Sequence, residues 1–176
     1  MTNHVHLILN PNNEPENLAK LMKRLAGRQT HYVNHQENRS GSLWEGRYKS
    51  SPIETNAYLL SCLRYVERNP VKAVMVKSVS DYEWSSYSQH AGLTENKWID
   101  DDPVYLSLAS EKAEREQRYV NYVNDVGSEH ENQLIQRALQ RNQLTGSARF
   151  IDEVESRLGV RIEQRGQGRP RKERVK

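Results

Sequence analysis

The apolar and polar positions divide the chain into short, contrasting stretches. Residues 4–9 (His4, Val5, His6, Leu7, Ile8, Leu9) form a β-type run that stops at the breaker cluster Asn10 to Asn13. From Pro15 to Glu37 the period lengthens. Leu18, Leu21, Met22, Leu25, Tyr32 and Val33 fall near one face at helical spacing, and Asn13 with Glu16 three residues on gives a capping-box-like start. After a loop at 38–42, the segment Leu43 to Ser50 interleaves aromatic and basic residues. A second helix is expected over 55–69, with Leu59, Cys62, Leu63 and Val66 on its buried face. Pro70 is its expected stop, since proline has no N–H to donate and crowds the preceding turn.

Residues 71–79 read as β-like again, and Tyr82 to Tyr87 as an aromatic cluster at a core edge. Beyond Gly92 the apolar pattern thins. Asp100 to Pro103 is acidic and turn-rich, Leu106 to Val123 reads as a polar helix, and 129–141 and 147–158 read as two short helices around an Asn-Gln-Leu-Thr-Gly turn. The pair fits either a helix-turn-helix or a plain helical hairpin. The expected organisation is a domain over 1–92, a linker and polar helix over 93–127, a helical pair over 128–163 that is a candidate DNA-binding element, and a basic disordered tail over 164–176.

Composition narrows the class. The 176 residues are 35% hydrophobic and 28% charged, with a mean hydropathy of −0.94. Leu, Ile, Val and Phe make up about a fifth of the chain, close to the boundary with disordered sequences, so one part of it can hold a modest core. The net charge of +3 is unevenly placed. Residues 161–176 carry seven Lys or Arg against two Glu, or +5, which leaves −2 for the rest. A basic tail on a near-neutral body fits a polyanion partner as well as a solubilising extension. Cys62 is the only cysteine, which excludes a disulfide framework and fits a reducing cytoplasm. The chain has neither an apolar run of membrane-spanning length nor a signal-peptide pattern, so a cytoplasmic protein is expected.

Five sets of residues carry candidate chemistry. His4 and His6, two apart on a strand, would present both imidazoles to one metal ion. Tyr65 and Asn69, four apart on the second helix, share a face one turn apart. A tyrosine hydroxyl is a competent nucleophile once deprotonated, and an amide oxygen suits a hard cation; taken without the histidines, the two residues read more simply as a half-buried tyrosine and a helix-end cap. Lys20, Arg24 and Arg28 form a basic stripe, either solvated or facing phosphates, and Trp44, Arg47, Tyr48 and Lys49 either combine stacking surfaces with cations, as a single-strand contact would, or belong to an ordinary strand with Trp44 and Tyr48 in the core, which composition alone favours. In the tail, Gly168 to Lys172 resembles an AT-hook core, with Arg169, Arg171 and Lys172 as its cations.

Four stretches, similar in order and separation, resemble the REP-associated tyrosine transposases and their insertion-sequence relatives, which are single-tyrosine HUH enzymes. They are Met-Thr-Asn-His-Val-His-Leu-Ile at 1–8, Gly-Ser-Leu-Trp-Glu-Gly-Arg-Tyr at 41–48, Arg-Tyr-Val-Glu-Arg-Asn-Pro-Val-Lys-Ala at 64–73, and Trp-Ser-Ser-Tyr at 84–87. The resemblance covers about residues 1–92, and 144–172 is similar to a C-terminal extension found in part of the family. It implies an α+β fold, a ferredoxin-like antiparallel sheet with helices followed by a helical extension, here without the usual first strand–helix–strand unit. Either the start site is misplaced or the unit is truly missing, in which case an exposed central strand, impaired folding and little or no activity are expected. It further implies His4, His6 and Asn69 as metal ligands and Tyr65 as the nucleophile of a 5′-phosphotyrosine intermediate. Tyr58 is the competing nucleophile, set aside because its i+4 neighbour Cys62 is no ligand for a hard ion. The cofactor would be Mg²⁺ or Mn²⁺, and Mn²⁺ suits two histidines better. The implied partner is single-stranded DNA with hairpin-containing repeat ends, acted on by a monomer or homodimer. Two alternatives accompany this reading: a non-catalytic DNA-binding remnant, and a zinc-dependent hydrolase in which His31 and His35 join His4 and His6.

Overall fold

Helices are the only regular secondary structure in the computed structural model, which describes residues 1, 3–95 and 98–159. The chain forms two compact units, Met1–Lys49 and Ser50–Lys176. Arg169, Arg171, Lys172 and the tail over 164–176 lie outside the described residues.

In the first unit the expected helix spans Glu16–Gln36 (α1). Its N-cap position is taken by Pro15 with no side-chain capping bond, so the start expected from Asn13 is not formed. Pro15 is already in the right-handed helical region, as its fixed φ favours, and the first turn closes through backbone bonds from Asn17 to Glu14 and from Leu18 to Pro15. A loop then folds back along the helix. Asn34 Nδ2 donates to the Gly41 carbonyl at 2.9 Å, and the Trp44 indole N–H donates to the Ala26 carbonyl at 3.1 Å. No described residue of this unit is fully buried, and Val5 and Tyr32 remain 64% and 61% exposed.

The expected ferredoxin-like antiparallel sheet is overturned. Among the described residues there is no strand, and the one β-bridge is an isolated parallel pair, Ile53 with Thr145. Residues 4–9 alternate as a strand would, but a strand is stable only when neighbours satisfy its backbone and cover one face. The other β-like stretches do not serve. Residues 43–50 run through bends, and 71–79 divide between a helix end, a turn and the 3₁₀ turn Val79–Asp81.

The second unit is built around Thr55–Lys72 (α2). Contrary to expectation this helix runs through Pro70. The break at proline is local, because Ala73 N–H still bonds the Asn69 carbonyl at 2.9 Å and Met75 N–H the Pro70 carbonyl at 2.9 Å. Val74, at φ +57°, then turns the chain away. Tyr87–His90 (α3), Pro103–Leu106 (α4), Lys112–Asn124 (α5), Glu129–Arg141 (α6) and Ala148–Leu158 (α7) follow. The last two match the expected helical pair closely, because their ends are written in capping residues. Ser128 and Ser147 accept backbone N–H bonds at the two starts, and Asn142 ends α6 in the left-handed region.

The core draws on Val79 and Tyr87 before residue 92 and on Tyr105, Tyr119 and Val123 after it, with Leu60 and Val71 of α2 packed alongside. The α6–α7 loop is tied to the lead-in of α2. Thr145 exchanges backbone bonds with Pro52 and Glu54, and Ser147 N–H donates to the Glu54 carboxylate at 2.7 Å.

Candidate active site and nucleic-acid interface

His4 and His6 lie in the first unit, on the unpaired segment before α1. Without a ladder the two rings still come together, with centroids 5.0 Å apart at 86°. The His4 Nδ1–H donates to Asn3 Oδ1 at 2.7 Å, which selects the tautomer whose Nε2 lone pair is free to bind a cation. Burial pushes the His6 pKa down, and the neighbouring His4 and the N-terminal amine push the same way, so the neutral, ligating form is favoured. This donor chemistry fits a divalent ion that accepts nitrogen.

Tyr65 and Asn69 lie in the second unit, on one face of α2, and their side chains are hydrogen-bonded. Burial raises the Tyr65 pKa, while the bond from Asn69 works in the opposite direction. An amide N–H that donates to the phenol oxygen leaves the amide oxygen as the atom able to ligate a cation. Tyr58 stands two turns earlier on the same helix, and its i+4 neighbour Cys62 is buried, with the thiol pushed up to about 12 by burial and by Glu131.

Flanking residues hold this helix in place, and sequence reasoning had not singled them out. Arg64 pairs with the Glu131 carboxylate of α6, lies 4.4 Å from the centroid of the Tyr122 ring, and donates to the Asp125 carbonyl at 3.2 Å. Glu67 is fully buried. One carboxylate oxygen accepts from Ser86 at 2.6 Å and contacts His90 Nδ1 at 3.0 Å, and the other accepts from Tyr119 at 2.8 Å. Arg68 donates to the Val123 carbonyl at 2.8 Å. A signal was present, since Arg64, Glu67 and Ser86 sit inside the stretches that carry the resemblance, but their partners come from sequence-distant helices.

The expected DNA-contact residues of the first unit are at its surface. Lys20, Arg24, Arg28, Arg47 and Lys49 are exposed, Tyr48 is half-buried, and Trp44 is 37% exposed beside α1. His31 and His35 stand near the C-terminal end of α1. Among the described residues no group of three or more His, Cys, Asp or Glu is gathered to hold a metal. Nor is any helix among them long and apolar enough to cross a membrane.

Residues 1–69 match the family model described as Transposase IS200 like. The matched stretch contains both histidines, Tyr65 and Asn69, and it supports a DNA-processing, transposase role. Comparison with curated proteins and with solved structures gives no match.

Proposed function

We propose, from the match of residues 1–69 to the IS200-like transposase model, that the protein cleaves and rejoins single-stranded DNA through a covalent bond to Tyr65. The observation that carries this reading is the Tyr65–Asn69 pair, a phenol hydrogen-bonded to an amide on one helix face within the matched stretch. The family resemblance makes His4 and His6 in the first unit, and Asn69 in the second, candidate ligands for a divalent ion, Mg²⁺ or Mn²⁺. When bound, such an ion polarises a phosphoryl oxygen and lowers the barrier to attack on phosphorus.

The Tyr65 oxygen attacks the scissile phosphorus and gives up its proton. The bond from phosphorus to the 3′ oxygen breaks, and that oxygen leaves as a 3′-OH after taking a proton. The phosphorus stays on the 5′ side as a phosphotyrosine. A second 3′-OH then attacks the phosphotyrosine, and Tyr65 leaves and recovers its proton. One phosphodiester replaces another at each step, so no external energy source is needed. Burial raises the Tyr65 pKa and works against the first step, and the Asn69 amide offsets part of that cost by favouring the phenolate. The substrate class is single-stranded, hairpin-bearing DNA, with Lys20, Arg24, Arg28, Arg47 and Lys49 as phosphate contacts.

The test is covalent capture. A hairpin-bearing single-stranded oligonucleotide, incubated with Mn²⁺, is expected to give a denaturant-stable protein–DNA adduct that Tyr65→Phe abolishes and Tyr58→Phe leaves in place. An adduct that persists in Tyr65→Phe overturns the assignment of the nucleophile. Binding without any adduct favours a DNA-binding remnant instead.

A further inference from the structure

The first unit contains a cleft of about 600 Å³ between α1 and the folded-back loop, with Ala26, Gly27, Thr30 and Asn34 on one side and Trp44 and Gly46 on the other. Its walls are fixed by polar bonds. The Trp44 indole N–H and the Thr30 hydroxyl both donate to the Ala26 carbonyl, and the Asn34 amide holds the Gly41 carbonyl. That last bond fixes the direction of the Asn34 amide, whose oxygen is buried in the wall with no hydrogen-bond partner.

Gly27 lies in the middle of a 21-residue helix, where glycine is unfavourable relative to alanine. Among the described residues no close contact requires it there. Its φ is not left-handed, and a Cβ built on it would meet no atom within 4 Å. Gly46 across the cleft is equally open. Two glycines that face free space across a cleft, one of them at a cost to its helix, leave room for a bound group to approach the backbone.

The electrostatics say what kind of group. From Asn17 to Gln36 α1 contains four Lys or Arg and no acidic residue. Lys20, Lys23, Gly27, Thr30 and Asn34 are spaced three and four apart and share one helix face, so the two lysines lead directly into the cleft. An aromatic wall at the end of a cationic ridge is the arrangement that binds a flat base and its phosphates together.

We propose that this cleft receives one unstacked base of single-stranded DNA, stacked on Trp44 over Gly27, with the adjoining phosphates on Lys20 and Lys23. The site deepens the function proposed above and rests on it for the choice of DNA, but it needs no metal and no covalent step. Binding can therefore be measured in a chelator, and a protein that forms no adduct yet passes the binding test loses the first proposal and keeps this one.

The probe is a single-stranded oligodeoxynucleotide, compared with a backbone of equal length that lacks bases. The full chain is expected to prefer the base-bearing strand by about ten-fold or more, with quenching of tryptophan fluorescence that Trp44→Phe removes. Gly27→Leu projects a branched side chain into the cleft opposite Trp44 and is a better helix former, so helix content by circular dichroism is kept or raised. It is expected to abolish the preference while leaving binding to the base-free backbone within about two-fold, because the phosphate contacts remain. Equal binding of the two strands by the wild-type chain overturns the proposal. So does a Gly27→Leu protein that keeps both its helix and the full preference.

Discussion

At the scale of the residue, a side chain's neighbours decide which of its chemistries is open. Tyr65 and Cys62 sit one turn apart on α2 and are both shielded from water, yet only Tyr65 has a polar partner that favours its ionised form. The Cys62 thiol is pushed from 9.0 to about 12, first by burial and then by the Glu131 carboxylate. The consequence for stability has a definite sign. An unfolded thiol ionises above about pH 8.5, whereas the folded one stays protonated to about 12. Below the lower value both states hold the proton and the stability is intact. As pH rises between the two values the unfolded state alone releases it, so stability falls. Urea midpoints measured from pH 7 to pH 10.5 are expected to decline less steeply for Cys62→Ala than for the wild type. Equal slopes would remove Cys62 from the account. The same burial makes the thiol slow toward iodoacetamide at pH 8.

At the scale of the element, α2 is the piece whose placement matters most, and polar contacts fix it as firmly as packing does. Arg64, Glu67 and Arg68 are bonded to α6, to the α3 region and to α5 respectively. A helix held at three points on its flanks cannot rotate freely, and the face bearing Tyr65 and Asn69 is set by those anchors. Gly127 belongs to this clamp. It adopts φ +67°, and any side chain there would strike the Arg64 guanidinium. Removing one partner of a largely buried ion pair costs about 3–5 kcal/mol. The Glu131 side chain is 27% exposed and can be partly rehydrated, which puts the expected loss for Arg64→Leu near the low end, about 3 kcal/mol by urea unfolding. A loss under about 1 kcal/mol would show that the pair does not hold the helix. The anchors were within the chain's recognisable stretches, but nothing in their spacing announces a partner sixty residues away. The α6 and α7 boundaries were legible because serine caps, an asparagine in the left-handed region and a terminal glycine are local signals. The end of α2 was misjudged because Pro70 is a local signal that the bonds around it override.

At the scale of the whole molecule, burial is distributed unequally. Every fully buried described residue belongs to the unit that begins at Ser50, and none to the unit of residues 1–49. Amide exchange should therefore be fast along Glu16–Gln36 and slow in the middle of Thr55–Lys72 and Lys112–Asn124, where Glu67, Tyr119 and Val123 are shut off from solvent. Comparable protection in Glu16–Gln36 would mean that this helix has cover the present structure does not show. The sequence by itself determined the helices with strong period and caps, the family likeness, and His4, His6, Tyr65 and Asn69 as candidate site residues, because each is a matter of residue type and short-range spacing. Whether 4–9 becomes a strand was not its to decide, since a β-ladder is a property of two or more segments and an alternating pattern cannot supply its own neighbour. Only the tertiary structure decided that, and only it placed Glu67 among Ser86, His90 and Tyr119, clamped Arg64, and opened a cleft beside Trp44. Those are encounters between distant parts of the chain, and they exist only once the chain has closed on itself.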